Sequence, residues 1–219
     1  MSELDLYNYH LPPELIAREP PARRTAARLL VLHRSNGRIE HCTIEDLPHL
    51  LQPQDLLVLN DTRVLPARLV GCRAATGGRW AGLFLKSPQP GTWEVIGQTR
   101  GKLVVGEELI IPLVNSSPKN DGTSPSELRL KLSARLPDGG WLMQPDLSGS
   151  HVDLLGRFGQ VPLPPYMERD TATANDRERY QTLHARQPGS VAAPTAGLHF
   201  TPELFAACRD RSIDDAYVT

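Results

Sequence analysis

The densest concentration of reactive side chains lies between residues 176 and 201, in DRERYQTLHARQPGSVAAPTAGLHFT. Arg179, Tyr180, Gln181, His184, Ser190, Thr195 and His199 all fall within it. The imidazole of His199 exchanges protons near neutrality and can act as acid or base. A lone histidine is more often structural, and both readings stand on spacing alone. SVAAPTAGLHFT sets small, mostly uncharged residues directly before a helical pattern, PELFAACRD. The start of a helix carries unpaired N–H groups and the positive end of its dipole, which suit an anion or a developing negative charge. Gly197 and the neighbouring alanines let a backbone come close to a partner.

A second cluster is LLVLNDTRVLPARL, residues 56–69. An apolar strand ending in Asn60, Asp61, Thr62 and Arg63 sets polar groups where ligands bind in α/β folds. Asp61 and Arg63, two apart, face the same way in an extended segment and can bracket a polar substrate. Asn-Asp-Thr is equally good turn chemistry, with Arg63 paired to Asp61. Arg68 closes the stretch and joins the substrate-binding candidates. In VPLPPYMERD, Pro162, Pro164 and Pro165 fix φ, so Tyr166 and Arg169 are presented rigidly. A tyrosine beside arginines can stack on a base; a linker between domains fits the same prolines. The seven histidines show no metal-ligand spacing, and no phosphate-binding glycine motif occurs. These patterns predict no metal site.

These groups need a frame. The 219 residues suffice for one large domain or two smaller ones, and a hydrophobic fraction of 40% supports a core. A net charge of -1 confines any nucleic-acid contact to a local patch. Cys42, Cys72 and Cys208 are too scattered for a disulfide scaffold. MSELDLYNYHLPPEL lacks the pattern of a signal peptide, and no apolar run reaches membrane-spanning length. A cytoplasmic protein without membrane contact is expected.

ARLLVLHR, SNG and RIEHCTI read as strand, turn and strand; DLLVLND reads as a strand buried on both faces. From Arg68 onward short β-prone runs alternate with Gly, Pro, Asn and Ser clusters, which predicts a small barrel or sandwich. HVDLLGRFG has helical spacing. Thr201, Pro202 and Glu203 form a helix start, with Leu204 and Cys208 on its apolar face. The expected fold is α/β: a mixed-sheet domain built from residues 1–68 and 161–219, sharing one sheet, interrupted by a β-barrel-like domain over 69–160. The chain stops at DDAYVT, early in what reads as a new strand, and is expected to be incomplete there.

LPPELIA, RLLVL, DLLVLNDTRVLPARL, PLPPYMERD, RYQT and GSVAAPTAGLHFT occur in this order. Together they resemble the S-adenosylmethionine:tRNA ribosyltransferase-isomerase (QueA) family of queuosine biosynthesis. The resemblance covers most of both ends of the chain. It implies ribosyl transfer from S-adenosylmethionine, a substrate here, to 7-aminomethyl-7-deazaguanine at the tRNA wobble position. Epoxyqueuosine-tRNA, adenine and methionine would be the products. It further implies an inserted β-barrel and roughly a further third of chain beyond this one. His199 and Asp61 are the nominated acid–base groups. Asn60, Thr62, Arg63, Arg68, Tyr166, Arg169, Arg179, Tyr180, Gln181, Ser190, Thr195 and Gly197 are nominated for substrate binding. The chain departs from the family pattern in RRTAARLLVL, where Thr25 and Ala27 replace a carboxylate and a hydroxyl. A monomer is expected. The alternative is a truncated, non-catalytic remnant that keeps part of a tRNA- or nucleotide-binding surface.

Overall fold

The first regular strands, β1 (Arg28–His33) and β2 (Arg38–Thr43), pair antiparallel. Their turn is closed by Gly37 at φ +71, whose N–H donates to the His33 carbonyl at 2.8 Å. This computed structural model describes residues 3–17, 19–114, 125–164 and 173–219. Tyr166 and Arg169 lie outside the described residues.

The punctuated middle of the chain forms a closed antiparallel barrel. Its strands are β5 (Arg68–Arg73), β6 (Arg79–Gln89), β7 (Thr92–Thr99), β8 (Glu108–Pro112), β9 (Glu127–Arg135) and β10 (Trp141–Pro145). They close in the order β10-β7-β6-β5-β8-β9, which leaves no free strand edge. Alternate residues point inward, so Leu69, Phe84, Trp93, Val95, Leu109 and Ile111 share one core. Gly82 and Gly97 face each other across β6 and β7. A Cβ on Gly82 would lie 2.4 Å from the Trp80 indole, and one on Gly97 would lie 2.7 Å from it. The paired glycines make the trough in which this fully buried ring lies.

Helix α2 (His151–Phe158) adds Leu154, Leu155 and Phe158 to the same core. It starts where Ser150 accepts from the Asp153 N–H at 3.1 Å. Immediately after it, Arg68 and Gln160 exchange backbone hydrogen bonds of 3.0 and 2.8 Å.

Outside the barrel, the two ends of the chain interleave. β3 (Leu56–Asn60) pairs parallel with β12 (Asp214–Val218), and β4 (Thr62–Val64) pairs parallel with β11 (Gln187–Ser190). The fold is thus α/β, with strands of both directions and a closed β-barrel. The single shared sheet expected from sequence is instead three two-stranded sheets. β3 is not buried on both faces either, since Leu56 and Val58 are 57% and 61% exposed. Leu57 and Leu59 pack under helix α4 (Pro202–Asp210) with Phe200, Leu204 and Phe205, which covers one side of the strand. Helix α4 begins as its residues predict: the Thr201 hydroxyl accepts from the Leu204 N–H at 3.3 Å, Pro202 follows, and Leu204 and Cys208 are buried. Among the described residues no helix is long and apolar enough to cross a membrane.

Candidate active site

Loop 191–194 leads into a 3-10 turn, Thr195–His199, that ends beside the cap of α4. Gly197 is buried in this turn, and a Cβ there would meet Thr182 Cγ2 at 2.9 Å and the His184 ring at 3.4 Å. Its smallness therefore admits the protein's own segment 182–184.

The turn forms one wall of a cavity of about 230 Å³, where Thr195, Leu198 and His199 face Arg24, Arg179 and Tyr180. Helix α3 (Ala174–Arg179) delivers Arg179 and Tyr180. It is fixed at its start by a reciprocal cap in which the Thr173 hydroxyl accepts from the Asp176 N–H and the Asp176 carboxylate accepts from the Thr173 N–H. Tyr180 is buried with Val161, Leu163, Ala193 and Leu198. Arg24 precedes β1 and crosses to this site, donating to the Leu198 carbonyl at 2.7 Å and the Glu178 carbonyl at 3.0 Å. Burial, then the like charge of Arg179, pushes the Arg24 guanidinium below its usual pKa, with Glu178 partly offsetting both.

His199 Nδ1 lies 3.2 Å from the Arg24 carbonyl. A carbonyl only accepts, so Nδ1 donates this bond, and in the neutral ring the lone pair is then on Nε2.

The other nominated residues sit elsewhere or are engaged locally. Asn60 Oδ1 accepts from the Thr62 N–H at 2.9 Å and from the Thr62 hydroxyl, a turn interaction. Asp61 is buried and accepts from the Thr219 hydroxyl at 2.8 Å, while Arg63 donates to the Ala185 carbonyl at 3.3 Å rather than pairing with Asp61. Gln181 has both ends of its amide on one residue, accepting from the Val64 N–H at 3.1 Å and donating to the Val64 carbonyl at 2.8 Å. Ser190 donates its hydroxyl to the Ala192 carbonyl at 2.6 Å. Arg68 begins the barrel. None of these lines the cavity that holds His199, although β4 and β11 bring residues 62–64 beside 187–190.

Arg24 is not legible as a site residue, since nothing in RRT distinguishes it from Arg23. His184 is a second unassigned group. It is buried between Phe205 and Tyr217, with ring centroids 5.7 Å away in both cases, and among the described residues neither ring nitrogen has a partner at hydrogen-bonding geometry. Burial pushes its pKa below the ordinary value, offset in part by the Asn60 backbone and the Asp61 charge. Through the window between this depressed value and the unfolded value of about 6.5, the unfolded chain holds the proton and the native one does not. Stability therefore falls as pH drops below about 6.5. We expect His184→Phe to flatten that part of a stability–pH profile and to add about 1 kcal/mol at neutral pH by removing unpaired polar atoms. Urea titrations at a series of pH values check both; an unchanged slope shows that His184 is not the group responsible.

The cavity thus gathers two arginines, a tyrosine and a histidine held through one ring nitrogen, contributed by both ends of the chain. Comparison with known proteins supplies the family. The queuosine biosynthesis protein family matches residues 4–219, and the chain belongs to it. It is 42% identical over 216 residues to an S-adenosylmethionine:tRNA ribosyltransferase-isomerase of Moorella thermoacetica, covering 98% of this chain and 59% of that protein. The protein of the same name from Thermus thermophilus is 41% identical over 220 residues, with coverage of 100% and 60%. That from Desulfitobacterium hafniense is 38% identical over 212 residues, with coverage of 97% and 58%. The chain thus spans about 60% of the length of these relatives. A crystal structure of the S-adenosylmethionine tRNA ribosyltransferase from Thermotoga maritima matches with 29% identity and a TM-score of 0.35, covering 96% of this chain and 56% of that one.

Proposed function

We propose that this chain carries the site for ribosyl transfer and isomerisation from S-adenosylmethionine to 7-aminomethyl-7-deazaguanine at the wobble position of tRNA. Epoxyqueuosine-tRNA would form, with release of adenine and methionine. Family membership supports the reading, and the observation that carries it is the meeting of Arg24, Arg179, Tyr180, Thr195 and His199 around one cavity.

Proton removal beside a sulfonium, departure of adenine and attack by an amine each move a proton. His199 Nε2 is the group placed to carry it, because the Arg24 carbonyl holds the other ring nitrogen. Asp61 is the second proposed acid–base group, although it is buried outside the cavity wall and accepts from the Thr219 hydroxyl. S-adenosylmethionine is consumed, and the proposed reaction uses no metal or redox cofactor. We further take residues 69–160 as a domain inserted between 1–68 and 161–219, in a cytoplasmic monomer.

The test is adenine release from S-adenosylmethionine in the presence of tRNA bearing the aminomethyl-deazaguanine base. Release that depends on that base supports the reading. Binding of both substrates without release would overturn it for this chain.

A further inference from the structure

The cavity beside His199 is lined by two guanidiniums, Arg24 and Arg179, and the like charge of Arg179 weighs on Arg24 more than the opposite charge of Glu178 does. Of the five N–H donors that each carries, Arg24 directs two at the Leu198 and Glu178 carbonyls. Arg179 donates to the carbonyls of Pro21 and Ala22. Carbonyls thus fix both groups in place, and the Glu178 charge offsets only part of what burial and Arg179 impose on Arg24. Like charges brought together around a cavity are costly unless something negative enters it. Arginine's planar fork suits a carboxylate or phosphate held by two parallel hydrogen bonds.

We propose that Arg24 and Arg179 together receive the carboxylate of an amino-acid group, the methionine end of S-adenosylmethionine, in the cavity walled by Tyr180, Leu198 and His199. This rests on the function proposed above. Two features favour an amino acid over a stretch of RNA backbone. The space, about 230 Å³, suits a small group. Glu19 stands on the same wall and offers a carboxylate for the α-ammonium that accompanies an amino-acid carboxylate. The anion is thereby placed beside the 195–199 turn rather than on the N-terminus of α4, where the Thr201 hydroxyl already occupies the Leu204 N–H.

The probes are S-adenosylmethionine and its decarboxylated analogue, measured by calorimetric titration. The unaltered protein should prefer the carboxylated ligand on the order of ten- to hundredfold. Arg24→Gln and Arg179→Gln should each collapse that preference while leaving affinity for the decarboxylated analogue within about twofold, the signature of a lost pairwise interaction. Arg24→Lys, which keeps the charge but not the fork, should retain part of it. The Arg179 side chain donates to the Pro21 and Ala22 carbonyls and bridges no distant element of the core, so its variant tests the idea even if Arg24→Gln unfolds. Equal affinity of the unaltered protein for the two ligands, absence of binding by either, or equal losses for both on substitution would overturn the proposal. So would arginine variants that keep the preference but bind tRNA more weakly with a shallower salt dependence, which assigns the pair to a phosphate. No turnover is read, so a protein that shows the preference and releases no adenine refutes the proposed reaction alone.

Discussion

Replacing His199 by alanine is expected to lower adenine release about 10²- to 10⁴-fold, the range over which a positioned acid–base group contributes. Affinity for S-adenosylmethionine should change by no more than a few-fold, because the ring's one assigned contact is to the Arg24 backbone. A loss confined to kcat identifies a group used in the transition state. His199→Gln keeps a donor for the Arg24 carbonyl but supplies no base, and should be nearly as slow as alanine. Single-turnover rates with saturating tRNA, beside equilibrium binding, separate the two quantities. If binding and rate fall together, His199 positions the substrate and moves no proton.

The largest expected loss of stability is at Trp80. Its indole is fully buried over the paired Gly82 and Gly97, so Trp80→Ala leaves a cavity that strands β6 and β7 cannot close. The cost should be about 3–5 kcal/mol, read from urea midpoints. Gly97→Val attacks the same contact from the other side, pushing methyls toward an indole already 2.7 Å from where a Cβ would stand. Overpacking of that kind costs about 1–3 kcal/mol. The double variant should lose less than the sum, because the valine enters space that the indole vacated. Simple additivity would show that ring and glycines do not share a contact.

What could be read from sequence was local. The start of α4 depends on Thr201, Pro202 and their immediate neighbours, and it forms as read. The hairpin of β1 and β2 depends on SNG, and the barrel announces itself by turn residues at short intervals. Strand β3 misled, because LLVL looks the same whether one face or two are covered; only the arrival of α4 under Leu57 and Leu59 decides it. The site was half legible. SVAAPTAGLHFT does contribute Thr195, Leu198 and His199 to the cavity wall, but the reason for its small residues differs at Gly197, where Thr182 and His184 fill the space. Arg24 reaches Leu198 across 174 positions, and no local pattern encodes a contact of that separation. Gln181 illustrates the same limit, since a glutamine that clamps one backbone residue and a glutamine that binds substrate have identical sequence signatures.

The paired hydrogen bonds between Arg68 and Gln160 bear on how the chain finds this arrangement. Contacts such as Gln181 with Val64 span 117 positions, and bringing such distant residues together costs chain entropy that grows with the logarithm of the intervening length. Once the barrel has closed, Arg68 and Gln160 are held side by side, and the whole intervening stretch acts as a single tether point. The effective separation of Val64 from Gln181 then shrinks from 117 positions to about 25, four from Val64 to Arg68 and 21 from Gln160 to Gln181. Seen as a polymer, the closed barrel is a short cut: it takes the whole stretch between Arg68 and Gln160 out of every loop that the two chain ends must close around the site.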